Sequence, residues 1–554
     1  MKIKKIICLL LTLVMIMAVV SSCNKDVSTD TGTTQTAQKG DSTAEATDAE
    51  EVMGNGVAKG MEFPIVEEPT TLSAFVAYGS YTTGDFNDLA IWDVCEKLTN
   101  IKIDFDAYPM GDHEEKLSLI LASNDLPDFF MKTTIASAQI TKYADQGLFV
   151  PISPYLEDYA PNYYAQILKD PTLKAYATMG DGNVYGFTYL VPAAPAQTKP
   201  MFVNEKWLNA LGAEIPTTTD GLLDLLKTVR DTDLNGNGEA DEMGLVVTDF
   251  NHLLRVLMGS FGLGTRGYAA PYIDMEGSQL RYIPISDEYK ELLMYLNTLY
   301  TEKLIPQEVF DMDITEVTAL GEQNQVFMAF ISIRDYLGET NKNDFIGIYE
   351  PFEGPDGDKM YALRRPGLFG QNTFITAENE YPEATMRWID YFYSEPGVEL
   401  YFMGIEDVTY VINAEGLPVY SDYVKNNPDG LNTEEVLGTY VPWSGGSNPS
   451  IAEDRCFGTN MYPALEQSIT KALMAYTPEI VWGEFNYSSE DATKLTTLET
   501  DIKTYVDDMT AKFVAGTESF DGWDDYIATL ERMGLDELMG IYQSGLDDYN
   551  SKLN

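Results

Sequence analysis

Apolar and polar residues change rhythm three times along the chain. Residues 6–20, IICLLLTLVMIMAVV, are continuously apolar behind Lys2, Lys4 and Lys5. Residues 24–60 carry almost no large apolar side chain, and after them short apolar runs alternate with helical ones. LSAFVAYG (72–79) reads as a strand, YTTGDFND as a polar loop and LAIWDVCEKLTN as an amphipathic helix; IKIDFDAYP is the next strand. GDHEEKLSLILASNDLPDFFM opens on Asp112-x-x-Glu115, a capping-box spacing. It then stacks Leu117, Ile120 and Leu121 on one face and breaks at Pro127 before another strand. Strands alternating with helices predict an α/β chain with a largely parallel sheet.

The first apolar run is too short and wrongly flanked to span a membrane, and its basic start marks residues 1–22 as a signal peptide. Its end, Val20-Ser21-Ser22-Cys23, resembles the lipobox of bacterial lipoproteins. That resemblance implies that Cys23 is diacylated and heads the mature protein, with an ordinary cleaved signal as the alternative. The polar stretch behind it cannot bury enough surface to offset its ordering entropy. Residues 23–61 are therefore expected to be a lipidated cysteine and a disordered tether, holding a domain at 62–554 on the extracellular face of the cell membrane.

Charge then removes whole classes of partner. The chain has 36 Lys and Arg against 87 Asp and Glu, a net charge of −51, which excludes nucleic acid and anionic-lipid surfaces. The membrane is expected to be reached through the lipid anchor only. Of four cysteines, Cys8 leaves with the signal and Cys23 is the anchor. Cys95 and Cys456 then read either as a pair or as two buried thiols. No catalytic constellation stands out. The histidines, His113 and His252, lack metal spacing, and no G-x-S-x-G elbow occurs. GLGTRG (262–267) follows a helical pattern instead of a strand. Two carboxylates suffice for a glycosidase, so an anchored glycan-processing hydrolase stays as the reading from another class.

TNIKIDF, LSLILASNDLPDFF, QGLFVPISPYLEDYAPN and DGNVYGFTYL resemble the first lobe of extracellular solute-binding proteins of ABC importers. More narrowly, they resemble the large carbohydrate-binding lipoproteins of Gram-positive bacteria. MFVNEKWLNALGAEIPTTTDGLLDLLKTVRDTDLNGNGEADEMGL, YKELLMYLNTLYTEKLIPQEVF and the C-terminal FVAGTESFDGWDDYIATLERMGLDELMGIYQSGLDDYN are similar to the second lobe and ending of that group. The resemblance implies a periplasmic-binding-protein-like α/β fold: two lobes, a hinge and a ligand cleft between them. Crossings are expected near 188–200, 360–372 and 410–420. Lobe 1 would hold about 62–190 and 365–412, and lobe 2 about 195–360 and 415–554, the C-terminal helices being assignable to both. It also implies a monomer that delivers a carbohydrate, an oligosaccharide by preference, to ABC permease subunits and is not an enzyme. A peptide or another organic solute is the alternative ligand.

DTDLNGNGEADE (231–242) has the composition of a calcium loop. Alternate Asp233, Asn235 and Asn237 project inward, Gly236 and Gly238 permit the turn, Glu239 lends a carbonyl, and Asp241 and Glu242 close the shell. An EF-hand register would start at Asp231; the resembled family's register starts at Asp233 and is preferred. A structural Ca2+ is thus expected, with an acidic solvent-exposed turn as the alternative. Ligand recognition is expected from aromatic faces and from loops after strands at the lobe edge. Those loops nominate Tyr81, Asp85, Tyr185, Arg364, Phe369 and Asn372, together with Trp443 and Trp482 beside Pro and Gly. Trp92 and Trp388, at apolar helical spacing, read as core, and so does Trp523.

Overall fold

The computed structural model describes residues 57–553, apart from 80, 124, 134, 194–197, 265–271, 278, 362–367, 444–447, 479–481 and 483–484. Cys23, most of the tether, Arg364 and the Phe369 side chain lie outside the described residues. Strands β1 (Thr70–Tyr78), β2 (Ile101–Pro109), β3 (Phe129–Met131), β4 (Gly186–Leu190) and β11 (Leu368–Ile375) form one sheet in the order β2-β1-β3-β11-β4. A second sheet, β10-β5-β9-β6, uses β5 (Met201–Asn204), β6 (Met243–Val247), β9 (Val326–Phe330) and β10 (Phe345–Ile348). Two hairpins are separate: β7 (Ile273–Glu276) with β8 (Gln279–Tyr282), and β12 (Tyr410–Ile412) with β13 (Pro418–Tyr420). Pairing is parallel for β1 with β2 and β3, and for β6 with β9; it is antiparallel where β11 and β5 are inserted. The architecture is a mixed α/β fold of two open, sheet-centred lobes.

Local chemistry accounts for the elements. The helix Ala90–Thr99 buries Ile91, Trp92, Cys95 and Thr99 along one stripe. Asn100 stops it in the left-handed region at φ 62°, its N–H donating to Glu96 O. β3 and β9 are buried along their whole length, as strands inside a covered sheet must be. Helices laid on both sheets create two main cores. In the first, Trp92 meets Trp388 at 5.9 Å and Phe105 at 4.8 Å, and Trp388 meets Phe392 edge-on at 5.0 Å. Trp523 packs in the second core against Phe513 at 5.4 Å. Cys95 and Cys456 are buried free thiols in the first core. That core also takes Tyr420, Val424, Val436, Val441 and Ile451, so the chain stays with the first sheet well beyond residue 412 before Ile469 and Leu473 join the second.

One buried acid stands out energetically. Asp390 accepts from the N–H groups of Tyr163 at 2.8 Å and Asn162 at 3.2 Å and from Asn162 Nδ2 at 2.7 Å. Arg387 lies 4.0 Å away and donates to the carbonyls of Ala58 and Glu62. Burial outweighs these partners and pushes the Asp390 carboxyl up to about 6. The folded state therefore takes its proton before the unfolded state does, and stability from this group rises as pH falls from about 7 to 4. The full gain is on the order of 3 kcal/mol. Asp390→Asn is expected to flatten the rise in melting temperature between pH 7 and 5 relative to the native chain. Parallel pH profiles of the two proteins would refute the assignment.

Candidate functional site

The register of the strands decides which edges face each other. The short connection 191–200 carries the chain from the end of β4 to the start of β5, and Leu368 of β11 pairs with Leu190. Because β11 is antiparallel to both β3 and β4, the C-terminal ends of β1, β3 and β4 share this crossing edge. On the second sheet, Met201 pairs with Phe330 and with Ile348, which puts the ends of β6, β9 and β10 at its crossing edge. Loops that follow parallel strands thus confront one another across the hinge, where open α/β sheets bind ligands.

On the first edge, Lys132 follows β3 in the left-handed region at φ 58°, 1% exposed. Its Nζ donates to the carbonyl of Pro442 and, at 3.1 Å, to Asn448 Oδ1, which also accepts from the Tyr401 hydroxyl at 2.9 Å. Burial holds the ammonium down to about 7. Asn448 Nδ2 in turn donates to Trp443 O at 3.4 Å. The lysine therefore ties the Trp443 segment to the end of a central strand. Next to it, Thr133 N donates to Asn372 O at 3.0 Å. The side-chain atoms Thr82 Oγ1, Thr133 Oγ1, Asn372 Nδ2 and Trp443 Nε1 are buried and have no hydrogen-bond partner among the described residues. Trp443 presents its ring edge-on to Phe457 at 5.7 Å and is 8% exposed.

The second edge carries a recess of about 190 Å³ lined by Lys199, Asp249, Asn251, His252, Arg255 and Tyr361, among others. Asp249 caps the helix Phe250–Met258 by accepting from His252 N at 2.8 Å and stands 3.9 Å from Lys199 Nζ. The Tyr361 hydroxyl donates to Lys199 O at 2.7 Å, which locks the two crossings together. Farther out, Glu434 lies beside the Tyr81 hydroxyl and raises that phenol's pKa, with Tyr336 from beyond β9 near both.

Of the residues nominated from sequence, Tyr81, Asn372 and Trp443 come to the first edge. Asp85 is an exposed turn cap, accepting from Asn87 N at 2.9 Å and from Asn87 Nδ2 at 3.0 Å. Tyr185 turns into a small satellite core, its hydroxyl donating to Asp181 at 2.7 Å. Trp482 is 3% exposed and packs against Phe485 at 5.5 Å in the second core. Lys132, Thr82, Thr133 and Glu434 were not nominated. A lysine after a strand carries no local sign that its partners lie 310 and 316 residues away.

The expected Ca2+ is corrected by the same accounting. Asp233 accepts from the N–H of Gly236 at 2.7 Å and Gly238 at 2.9 Å, and Glu242 Oε1 accepts from Leu234 and Asn235, each at 2.6 Å. Asn235 and Asn237 turn their Nδ2 atoms to Asp241 at 3.1 Å, and Gln325 Nε2 donates to it at 2.6 Å. Asn237 Oδ1 accepts from Glu239 N at 2.7 Å. Among the described residues, no group of three or more His, Cys, Asp or Glu is arranged to hold a metal ion. Asp233, Asn235, Asn237, Glu239, Asp241 and Glu242 form a self-bonded acidic turn, with Gly236 and Gly238 supplying its positive φ of 78° and 94°. Glu242→Ala should leave the Leu234 and Asn235 N–H groups without their acceptor and destabilise the second lobe by about 2–4 kcal/mol. Denaturant melts of the variant check this; a loss below half a kcal/mol would contradict the turn's hydrogen-bonded closure.

Two sheets, a hinge and facing polar edges define a two-lobed ligand-binding protein. The family model described as "Bacterial extracellular solute-binding protein" matches residues 79–399, more than half of the chain, and the chain belongs to that family. It is a non-catalytic, extracellular binding protein of ABC import. The fructooligosaccharide ABC transporter substrate-binding protein FusA of Streptococcus pneumoniae is 25% identical over 90% of this chain and 93% of its own length. Lipoprotein LipO of Bacillus subtilis is 24% identical over 81% of this chain and 88% of its own. The crystal structure of an extracellular solute-binding protein from Bifidobacterium longum subsp. infantis shares the fold at a TM-score of 0.73, with 21% identity over 87% of this chain and 98% of that one.

Proposed function

We propose that this protein captures an oligosaccharide by closing its two lobes and hands it, as a monomer, to the membrane subunits of an ABC importer. The observation that carries this reading is the first edge, where buried, uncharged hydrogen-bonding groups lie without partners beside an indole at the hinge. Neutral sugars offer many hydroxyls and no charge, so they suit such a surface. The fructooligosaccharide named for the Streptococcus pneumoniae relative supports the same class. Anchoring through Cys23 belongs to this proposal as well, supported by the lipobox-like Val20-Ser21-Ser22-Cys23 and by the lipoprotein relative.

The test is a thermal-shift and calorimetry panel of mono- and oligosaccharides set against peptides of similar mass. A cognate oligosaccharide at a hundred times its Kd should add about 2.7 kcal/mol to folded-state stability. Scattering should show a more compact particle with ligand bound. Melting-point shifts with peptides and with no sugar would overturn the carbohydrate reading.

A further inference from the structure

Thr82, Thr133, Asn372 and Trp443 come from four separated parts of the chain, yet strand topology gathers them at one edge. Thr82 sits in the turn after β1, its N–H donating to Gly79 O, and Thr133 follows β3, which pairs with β1. Asn372 on β11 accepts from Thr133 N, and the segment carrying Trp443 is tied to Lys132, the neighbour of Thr133. Each of the four is at least nine-tenths buried, and in each a side-chain polar atom lacks a partner among the described residues. Leaving such atoms unpaired lowers stability, by about 1–3 kcal/mol apiece on the usual scale. Most buried polar groups are paired, so four orphans at one hinge edge need a reason.

Their chemistry narrows what satisfies them. The Asn372 amide NH2 and the Trp443 indole N–H only donate, whereas the two threonine hydroxyls both donate and accept. A carboxylate could use the donors but would leave the hydroxyl lone pairs idle. A sugar hydroxyl donates and accepts at once, so a row of them matches this mixed set. Lys132, the chain neighbour of Thr133, points its ammonium to Pro442 O and Asn448 and away from solvent. The net charge of −51 further disfavours an anion at this edge.

We propose that Thr82, Thr133, Asn372 and Trp443 form the first-lobe floor of the cleft and take an uncharged sugar ring through its hydroxyl and ring oxygens. The assignment rests on the carbohydrate reading above and adds which residues bind and that the bound ring is neutral. It also makes an unusual demand. Removing an orphaned hydroxyl should relieve the free protein while weakening its ligand, so stability and affinity must move in opposite directions. A hydroxyl that served only the fold would lower stability when lost.

The experiment uses Thr82→Val and Thr133→Val, which keep shape and remove only the hydroxyl. Kestose, maltotriose, cellotriose and trigalacturonate are titrated calorimetrically into the native chain and both variants. The native chain is expected to bind at least one neutral trisaccharide and to prefer it to trigalacturonate. Each variant should melt at or above the native temperature without ligand and bind the neutral sugar roughly tenfold more weakly. Native sugar binding with unchanged affinity in both variants overturns the floor and leaves the carbohydrate reading standing. Variants that melt lower overturn it too, as does a native preference for trigalacturonate. A native chain that binds peptides and none of these sugars removes the carbohydrate reading and the floor together.

Discussion

Lys132→Met is expected to weaken oligosaccharide binding by roughly 2–4 kcal/mol, the scale of having to order a few backbone residues at the moment of binding. Methionine retains the apolar stem but donates nothing, so Pro442 O and Asn448 Oδ1 lose the lysine's hydrogen bonds and the Trp443 segment loses its tie to β3. Stability is a poorer gauge of this change. Taking away a desolvated ammonium and depriving Pro442 O and Asn448 Oδ1 of one donor act in opposite directions, and Asn448 Oδ1 keeps its bond from the Tyr401 hydroxyl. The sign of a pH test is nevertheless fixed. The folded-state pKa of about 7 lies below the ordinary 10.5, so the unfolded chain holds the extra proton between those values. Stability from this group therefore rises with pH across that window. Melts at pH 7 and 9 should show the rise in the native chain and lose it in Lys132→Met. Native-like sugar affinity in a folded variant would reduce Lys132 to a core residue without influence on the cleft.

Trp388→Ala should remove about 3–5 kcal/mol of stability. The indole is 1% exposed and lies against Trp92, Phe129 and Phe392 at 5.0–5.9 Å, joining the helix Pro382–Tyr391 to the first sheet. Alanine leaves a void that rings from separate elements cannot collapse to fill. In a lobe of this size the loss corresponds to a fall of roughly 6–20 °C in melting temperature. Trp388→Phe should cost less, since much of the contact survives. Denaturant melts of both variants provide the check, and a loss under 1 kcal/mol for alanine would show that the aromatic cluster is not the centre of the core.

The sequence by itself determined whatever is written in local periodicity and composition. The strand–helix alternation from residue 70, the apolar stripe of Ala90–Thr99 and the core placement of Trp92 and Trp388 follow from spacing over a few residues. Longer stretches, matched to a family by resemblance, carried the two-lobe plan. What the side chains near the hinge do was decided only in three dimensions. Asn372 could be nominated from its place near an expected crossing and Trp443 from its Pro and Gly neighbours, but Tyr185, chosen like Asn372, turned inward to Asp181. Thr133 acquires meaning only once β11 brings Asn372 beside it, and Lys132 only once Pro442 arrives from 310 residues away. The acidic turn shows the same limit. Composition fixes how many oxygens Asp233, Asp241 and Glu242 supply, whereas the backbone N–H groups of the turn and Gln325, 84 residues beyond Asp241, determine where those oxygens point. Hydrogen bonds are short-ranged and directional, so a group's role belongs to whatever the fold sets within 3 Å of it.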